Sequence, residues 1–573
     1  MLQRLNPFVR AGVFMNCFLA LMSMHAGQWV ERGWAQAPSA SVSNVSDIPL
    51  QLARQDEVDA GTGRFHRISE SVSWKADQVA VIVCDVWDSH HCLNAVRRVG
   101  EVAPRIDSFV AEMRRRGATI IHAPSDCMPQ YKVEPARLHA QAIPIDPATP
   151  DTLGKWCDRI PSEEQSLYPV DQSDGGEDDD LVEHAQWHET LRDHGRNPKT
   201  PWLRQTEQIR VDQEQDFISD SGKEIWNILK SRNVKHVMLC GVHTNMCVLG
   251  RPFGLRQLKA HGIEAVLVRD LTDTMYNPQR WPFVSHFSGT DAVVQHIERF
   301  VCSTMTSDQV LGGIPFRFSE DHRPHWAILI AEDEYKTEET LVRWANEHLA
   351  KDFRFTIIYS DAKQPNRLIG LEALAEADAL LVSVRRRPLP AEDLERIRSF
   401  VAAGKPVLGI RTASHAFSLR DKLSPGLEQW PEFDSQVFGG NYTNHYGNEF
   451  VTTLEVDPKS DHELVPSKAR GQKLFQSKGS LYRVTPLQPG TKVLWLGSIP
   501  DQPAEPVAWT FVRRDSGKSF YTSLGHAGDF EEDSFNALLL NAAYWLTDLP
   551  NRVTPQDIGL QQFRHRSGQG KQR

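Results

Sequence analysis

The chain has no basic stripe, no regular cysteine spacing, no glycine- or proline-rich tract, and no apolar run long enough to cross a membrane. Each absence excludes something. Without clustered Lys and Arg, and with a formal charge of −10 spread along the chain, no surface is set up to neutralise phosphates, so nucleic acid is not an expected partner. The N-terminal apolar run AGVFMNCFLALMSMHAG (11–27) falls short of the ~20 residues that a helical span requires. The eight cysteines form neither CxxC pairs nor a compact disulfide framework. What remains is an ordinary globular composition, 40% hydrophobic and 24% charged. At 573 residues the chain is too long for one core, and two large domains are expected.

The N-terminus carries an address. Arg4 and Arg10 stand at the start, and Ala35-Gln36-Ala37 follows the apolar run. A basic start, short apolar core and small-residue cleavage point describe a signal peptide. Residues 1–37 are read as one, cleaved near Ala37, which makes the protein exported (periplasmic or secreted) with no stable membrane span afterwards. Losing Cys17 with the leader leaves seven cysteines, so at least one thiol has no partner within the chain. Cys247 is the candidate for it. The polar, basic residues 551–573 are read as a flexible tail.

Residues 38–75 are polar and variable, a linker or an edge segment. A strand–helix alternation then begins. VAVIVCDV (79–86) is a continuous apolar run, as in a strand buried on both faces. EVAPRIDSFVAEMRRRG (101–117) has helical spacing and a glycine stop. ATIIHAP (118–124) is a second strand, followed by a long irregular stretch containing the acidic run DQSDGGEDDD (171–180), taken as a solvated loop because the DxDxDG calcium spacing is absent. The alternation resumes with a helix at 221–233, a strand at 234–241, a helix at 255–262, a strand at 264–270 and a helix at 290–301. A break at 312–324 precedes a second series of strands and helices running to residue 550. The expected fold is α/β: two doubly wound three-layer αβα domains with mainly parallel sheets, over residues 76–311 and 323–550. Such sheets bind ligands at the carboxyl ends of their strands, where Asp85, Asp126 and Cys247 stand.

In VKHVMLCGVHTNMCVLG (234–250) a cysteine lies just beyond a buried strand, where a helix should begin. A helix N-terminus lowers a thiol pKa and offers N–H groups to an oxyanion. Packing alone accounts for Cys84 and Cys240, inside apolar runs, but less well for Cys247, which has His243, Thr244 and Asn245 beside it. GVHTNMCV resembles the G-V-x-T-(D/N)-x-C-V signature of the isochorismatase-like cysteine hydrolases, VIVCDVWD resembles that family's first strand, and EAVLVRDLTDT the strand after its cysteine helix. The resemblance covers roughly residues 75–305. It implies that Cys247 is the nucleophile and Asp85 its general base, that the Val242–His243 peptide bond is cis, and that amides around His243 and Cys247 form the oxyanion hole. The implied substrate is a small amide-like molecule. Trp87, Asp88, His91, Asp126 and Asn245 are expected to contact it.

The chain departs from that family in its third catalytic residue, a lysine. The corresponding segment, TEQIRVDQEQDFISDSG (206–222), holds none. Arg210 or Glu214 lies closest by count, and Lys155 or Lys199 could reach in from the long insertion. A metal also stays open. Nicotinamidases of the family hold zinc with Asp-x-His, whereas here Asp126 is followed by Met128. Asp88, His90, His91 and Cys92, with His122 on the neighbouring strand, would suit a divalent ion, or equally a polar loop without one. No cofactor is required, and self-association into a homo-oligomer is left open.

In the second half, PVLGIRTASHAF (406–417) sits where a strand–elbow–helix would carry a nucleophile, but Arg411 and Thr412 fill the turn. FGGNYTNHYGNEF (438–450), YTSLGH (521–526) and FNALLLNAAYWL (535–546) resemble the ThuA-like family, named for trehalose utilisation. That resemblance spans roughly 323–550 and implies a class I glutamine amidotransferase-like fold without the thiol. His415, His445 and His526 are the candidate site residues there. The alternatives to a hydrolase are a non-catalytic carbohydrate or small-ligand binding protein, or activity on a sugar in the second domain.

Overall fold

The centre of the first half is strand β3 (Val79–Cys84), buried at every residue. Val79, Val81 and Val83 enter one apolar cluster, while Ala80, Ile82 and Cys84 enter another on the opposite face. This two-sided burial is why the run reads as unbroken rather than alternating. The computed structural model describes residues 47–550; residues 1–37, expected to be a signal peptide, residues 38–46 and the basic tail lie outside the described residues.

Seven further strands complete this sheet: β1 (Asp47–Glu57), β2 (Phe65–Lys75), β4 (Thr119–Ala123), β5 (Phe217–Ile218), β6 (His236–Val242), β7 (Glu264–Asp273) and β8 (Thr304–Met305). Their order is β2-β1-β8-β7-β6-β3-β4-β5. The strands from β8 to β5 run parallel to their neighbours, and the β1–β2 hairpin adds an antiparallel edge. Residues 47–75 are therefore part of the sheet. The helix Leu93–Arg116 covers one face through Val102, Ile106, Phe109 and Met113, and stops at Gly117, whose φ is 99°. The helices Gly222–Ser231, Leu255–Ala260 and His286–Phe300 cover the other.

The second sheet begins with β9 (His325–Ala331), β10 (Arg354–Tyr359), β11 (Ala379–Val384) and β13 (Val407–Ile410), and β12 (Leu389–Pro390) pairs with β14 (Leu427–Glu428) in a separate ribbon. After a second ribbon, β15 (Asn444–His445) with β18 (Tyr482–Arg483), come β16 (Thr452–Val456), β17 (Lys473–Ser477), β19 (Lys492–Ser498), β20 (Glu505–Val512) and β21 (Lys518–Thr522). The sheet order is β10-β9-β11-β13-β21-β20-β19-β16-β17. Its first five strands are parallel, and the rest form an antiparallel arm. Apolar clusters lie on both faces, one with the helix Asp533–Leu546 and the other with Ala391–Ala402. Both halves are thus α/β, with large sheets whose cores are parallel.

The first hairpin touches both halves. Strand β2 packs beside β10, Arg64 pairs with Glu338 at 3.7 Å, and His66 meets Tyr359 edge-on at 6.5 Å. Arg323 adds a second tie by donating to Ser288 Oγ at 2.6 Å and pairing with Asp291 at 3.0 Å.

Candidate active site

Strands β3, β4 and β6 end side by side, and their ends build the site. Asp85 follows β3 with a positive φ of 49° and no solvent exposure. Its Oδ1 accepts the backbone N–H of Ser125, just past β4, at 2.7 Å. Gly241 lies against this corner. Its φ is 113°, and a Cβ there would come within 2.0 Å of the Cys84 carbonyl oxygen, so only glycine lets β6 approach β3 so closely. The next peptide bond, Val242–His243, is cis. The chain then turns into a short π-helical stretch, Thr244–Val248, which carries Cys247.

Cys247 is 8% exposed, and its sulfur has the Asp85 carboxyl and the His243 backbone N–H as hydrogen-bonding neighbours. Burial, then the adjacent Asp85 carboxylate, push its thiol pKa well up; Arg251 pulls the other way. This reverses the sequence expectation that a helix start would lower it. The turn holding Cys247 is short, and desolvation outweighs its dipole. Asp85 is also raised by burial, with Arg251, Cys247 and Ser125 opposing the rise. Both acidic groups therefore face a single nearby cation.

That cation is Arg251, which donates from Nε to Asp85 Oδ2 at 2.9 Å and from Nη2 to Asp126 Oδ2 at 3.4 Å. None of the residues expected in the lysine's place is there. Arg210 pairs with Asp107 on the surface, and Glu214, Lys155 and Lys199 are exposed. Arg251 follows Cys247 in the chain, whereas the resemblance places the third residue before it. The usable signal was its spacing of four residues from Cys247, which puts both on one helical face.

Several expected contacts have other duties. Asp88 accepts from Arg196 at 2.8 Å and from the backbone N–H of Leu203 at 3.0 Å, tying down the insertion. Asn245 exchanges hydrogen bonds with the Met275 backbone at 2.7 and 2.9 Å. Their side chains brace the site. Asp126 is exposed beside Arg251. Trp87 stacks on Trp202 at 4.4 Å and donates its indole N–H to the Ser125 carbonyl at 3.1 Å. His90 lies 4.0 Å from His91 and 4.9 Å from His243, ring to ring. His243 is buried, held to a pKa of about 4 by that burial, and neither of its ring nitrogens has a hydrogen-bond partner.

The potential metal ligands do not form one set. His122 is buried between Gln205 and Asp216. His91 pairs with Glu177 at 3.2 Å. Cys92, Asp178 and Asp179 do cluster, but Arg98 forks onto Asp178 at 2.8 and 3.1 Å, and Asp179 accepts the N–H groups of Leu93 and Asn94, both at 2.7 Å. These carboxylates already have donors and do not fit a cation. They also correct the expectation of a solvated acidic loop: Asp178 and Asp179 pack inward, Asp178 onto Arg98 and Asp179 as the cap of the helix Leu93–Arg116. All seven described cysteines are free thiols.

In the second half, the rings of His415 and His445 lie 6.2 and 6.4 Å from that of Tyr482, which sits 5.0 Å from the Arg411 guanidinium. His415 is buried, stacked on Tyr442 at 4.6 Å, its pKa lowered to about 3 by burial and then by Arg386, Arg385, Arg420 and Arg411. His445 is exposed and bonds through Nδ1 to the Tyr446 carbonyl at 2.6 Å. His526 lines a cleft together with Arg411.

Comparison with known proteins agrees with both halves. The family model of the isochorismatase domain matches residues 203–285, and that of ThuA, described as trehalose utilisation, matches residues 328–546. Among curated proteins no sequence matches. Similar solved structures include a ThuA-like protein from Bacteroides uniformis (18% identity, 41% of this chain and 95% of that one, TM-score 0.30). They also include a cysteine hydrolase from Pseudomonas syringae pv. phaseolicola (13% identity, 42% and 92%, TM-score 0.25). A third is an isochorismatase family protein from Burkholderia thailandensis (14% identity, 41% and 93%, TM-score 0.23).

Proposed function

We propose that the first half is a cysteine hydrolase that cleaves the C–N bond of a small amide-like substrate. The observation that carries this is the convergence of Cys247, Asp85 and Arg251 at the ends of β3 and β6. Asp85 takes the Cys247 proton as the sulfur attacks the carbonyl carbon, so no free thiolate need accumulate in a buried site. Backbone N–H groups of His243 and Cys247 receive the oxyanion. When the tetrahedral intermediate collapses, the C–N bond breaks and the amine leaves with the proton held by Asp85. Asp85 then deprotonates water, which attacks the thioester, releases the acid and restores the thiol. Arg251 compensates the one negative charge that moves between sulfur, carboxylate and oxyanion. A guanidinium stays protonated throughout, so Arg251 acts by charge and position and passes no proton. His243, whose ring nitrogens accept and donate no hydrogen bond among the described residues, is the side chain suited to the polar end of the substrate.

The test is turnover on a panel of primary, cyclic and carbamoyl amides, followed by amine release and intact mass. The wild type is expected to hydrolyse at least one member and to show a thioester adduct on Cys247. Cys247→Ala is expected to lose at least about a thousandfold in kcat/KM. Binding of a panel member with no turnover, unchanged in Cys247→Ala, would instead support a non-catalytic binding role.

A further inference from the structure

The second half holds a buried cation that no carboxylate among the described residues touches, Asp529 acting on it only from a distance. Arg411 follows β13 at the position where this strand–turn–helix would otherwise carry a nucleophile, with a positive φ of 45° and 2% exposure. Its guanidinium donates only to neutral oxygens: the Ser523 carbonyl at 2.7 Å, the Tyr335 hydroxyl at 3.1 Å and Ser480 Oγ at 3.2 Å. Nε has no hydrogen-bond partner, and among the described residues no carboxylate forms an ion pair with it. The Tyr335 and Tyr482 rings lie 4.1 and 5.0 Å from the guanidinium carbon. A charge this deep is costly unless something negative meets it.

The surroundings keep that place open. Arg411 lines a cleft of about 380 Å³ together with Tyr335, Lys336, Lys478, Ser480 and His526, within the range of about 300–1,000 Å³ typical of small-molecule sites. The cleft gathers residues that follow β9, β13 and β21, the carboxyl ends of the parallel core, where sheets of this kind take ligands. The loop after β9 is shaped by buried Glu332, which accepts N–H groups from Glu334, Tyr335 and Thr337 at 2.8, 2.8 and 2.9 Å and so sets Tyr335 against Arg411. Gly479 leaves room for the guanidinium, since a Cβ there would lie 2.8 Å from Nη1. His526 Nδ1 accepts the Gly528 N–H at 3.2 Å, which leaves Nε2 as the protonated nitrogen of the neutral ring. Neither Lys336 nor Lys478 forms an ion pair among the described residues, and the one acid on the rim, Glu334, is paired with Arg385 at 2.7 Å.

We propose that this cleft binds a small hydroxylated organic oxyanion, a carboxylate or a phosphate monoester, with Arg411, Lys336 and Lys478 supplying the charge. Tyr335, Ser480 and His526 supply hydrogen bonds to the oxyanion or to neighbouring hydroxyls. The site is independent of Cys247 and adds a second ligand to the molecule.

Isothermal titration of the full chain with gluconate, glucose 6-phosphate and neutral glucose tests it. At least one of the two anions is expected to bind at least tenfold more tightly than glucose, and the better of the two identifies the oxyanion. The Lys336→Ala/Lys478→Ala double variant, which changes only exposed side chains, is expected to weaken that binding tenfold or more, as is 0.5 M salt. Cys247→Ala is expected to leave it unchanged. Arg411→Gln is expected to abolish binding, with circular dichroism and thermal melting confirming a folded protein. Equal affinity for glucose, no binding of either anion, or full affinity in the lysine double variant would overturn the proposal.

Discussion

Arg251 is the residue on which the site's chemistry turns. It is the cation nearest Asp85, and its removal leaves a buried carboxylate uncompensated. Asp85 is already raised by burial, and Arg251 opposes that rise, so Arg251→Ala moves the pKa further up. Because Asp85 acts as its anion, the acid limb of kcat/KM is expected at higher pH in Arg251→Ala than in the wild type. Arg251→Lys is expected to recover part of the shift, and a pH–rate profile of the three proteins checks this. At this scale the sequence was half legible. Asp85 and Cys247 were readable because a strand end and a helix start are local features. Arg251 was not, because it stands on a different element from the segment 206–222, where a cation was expected. Asn245 and Asp88 looked like substrate contacts, and nothing local announces that their partners are Met275 and Arg196.

Among the elements, the acidic run 171–180 was the least legible. Its spacing excludes a calcium loop, but its role comes from residues some 80 positions away. Cys92 is the N-cap of the helix Leu93–Arg116 and makes no side-chain cap; Asp179 supplies it instead. Asp179→Ala is expected to cost about 0.5–2 kcal/mol, measured by urea denaturation. Behind it, Arg98 bridges Asp178 and Asp273, the last residue of β7. Burial raises both, yet bonds and charges from His286 and Arg98 hold them below ordinary carboxylate values. Their stabilisation is present above about pH 4 and lost as pH falls through the folded-state values. His286 is raised, so its contribution is full below about pH 6.5 and fades as pH rises through its folded value. Stability plotted against pH is expected to fall on both sides of that window. In Arg98→Gln the acid unfolding midpoint is expected to move to higher pH, as read by tryptophan fluorescence.

In the whole molecule, the two α/β halves were legible because continuous apolar strands and amphipathic helices repeat at short intervals. The hairpin 47–75 was not, since its polar outer face reads as a linker. It closes one edge of the first sheet and packs beside β10 of the second. Deleting residues 38–75 is expected to lower the melting temperature of both halves, followed by limited proteolysis and fragment mapping; a loss confined to the first half would show that the hairpin serves one sheet alone. The central claim is that Cys247 draws its reactivity from Asp85 despite a buried thiol. Iodoacetamide labelling at graded pH, with each modified cysteine mapped by mass spectrometry, tests it most directly. The partly exposed Cys157 and Cys302 serve as internal references. The account predicts that Cys247 is alkylated faster than either near neutral pH, that its rate rises with ionisation of Asp85, and that Asp85→Asn removes the advantage. A Cys247 that reacts no faster than the two references at any pH, with or without Asp85, would contradict it.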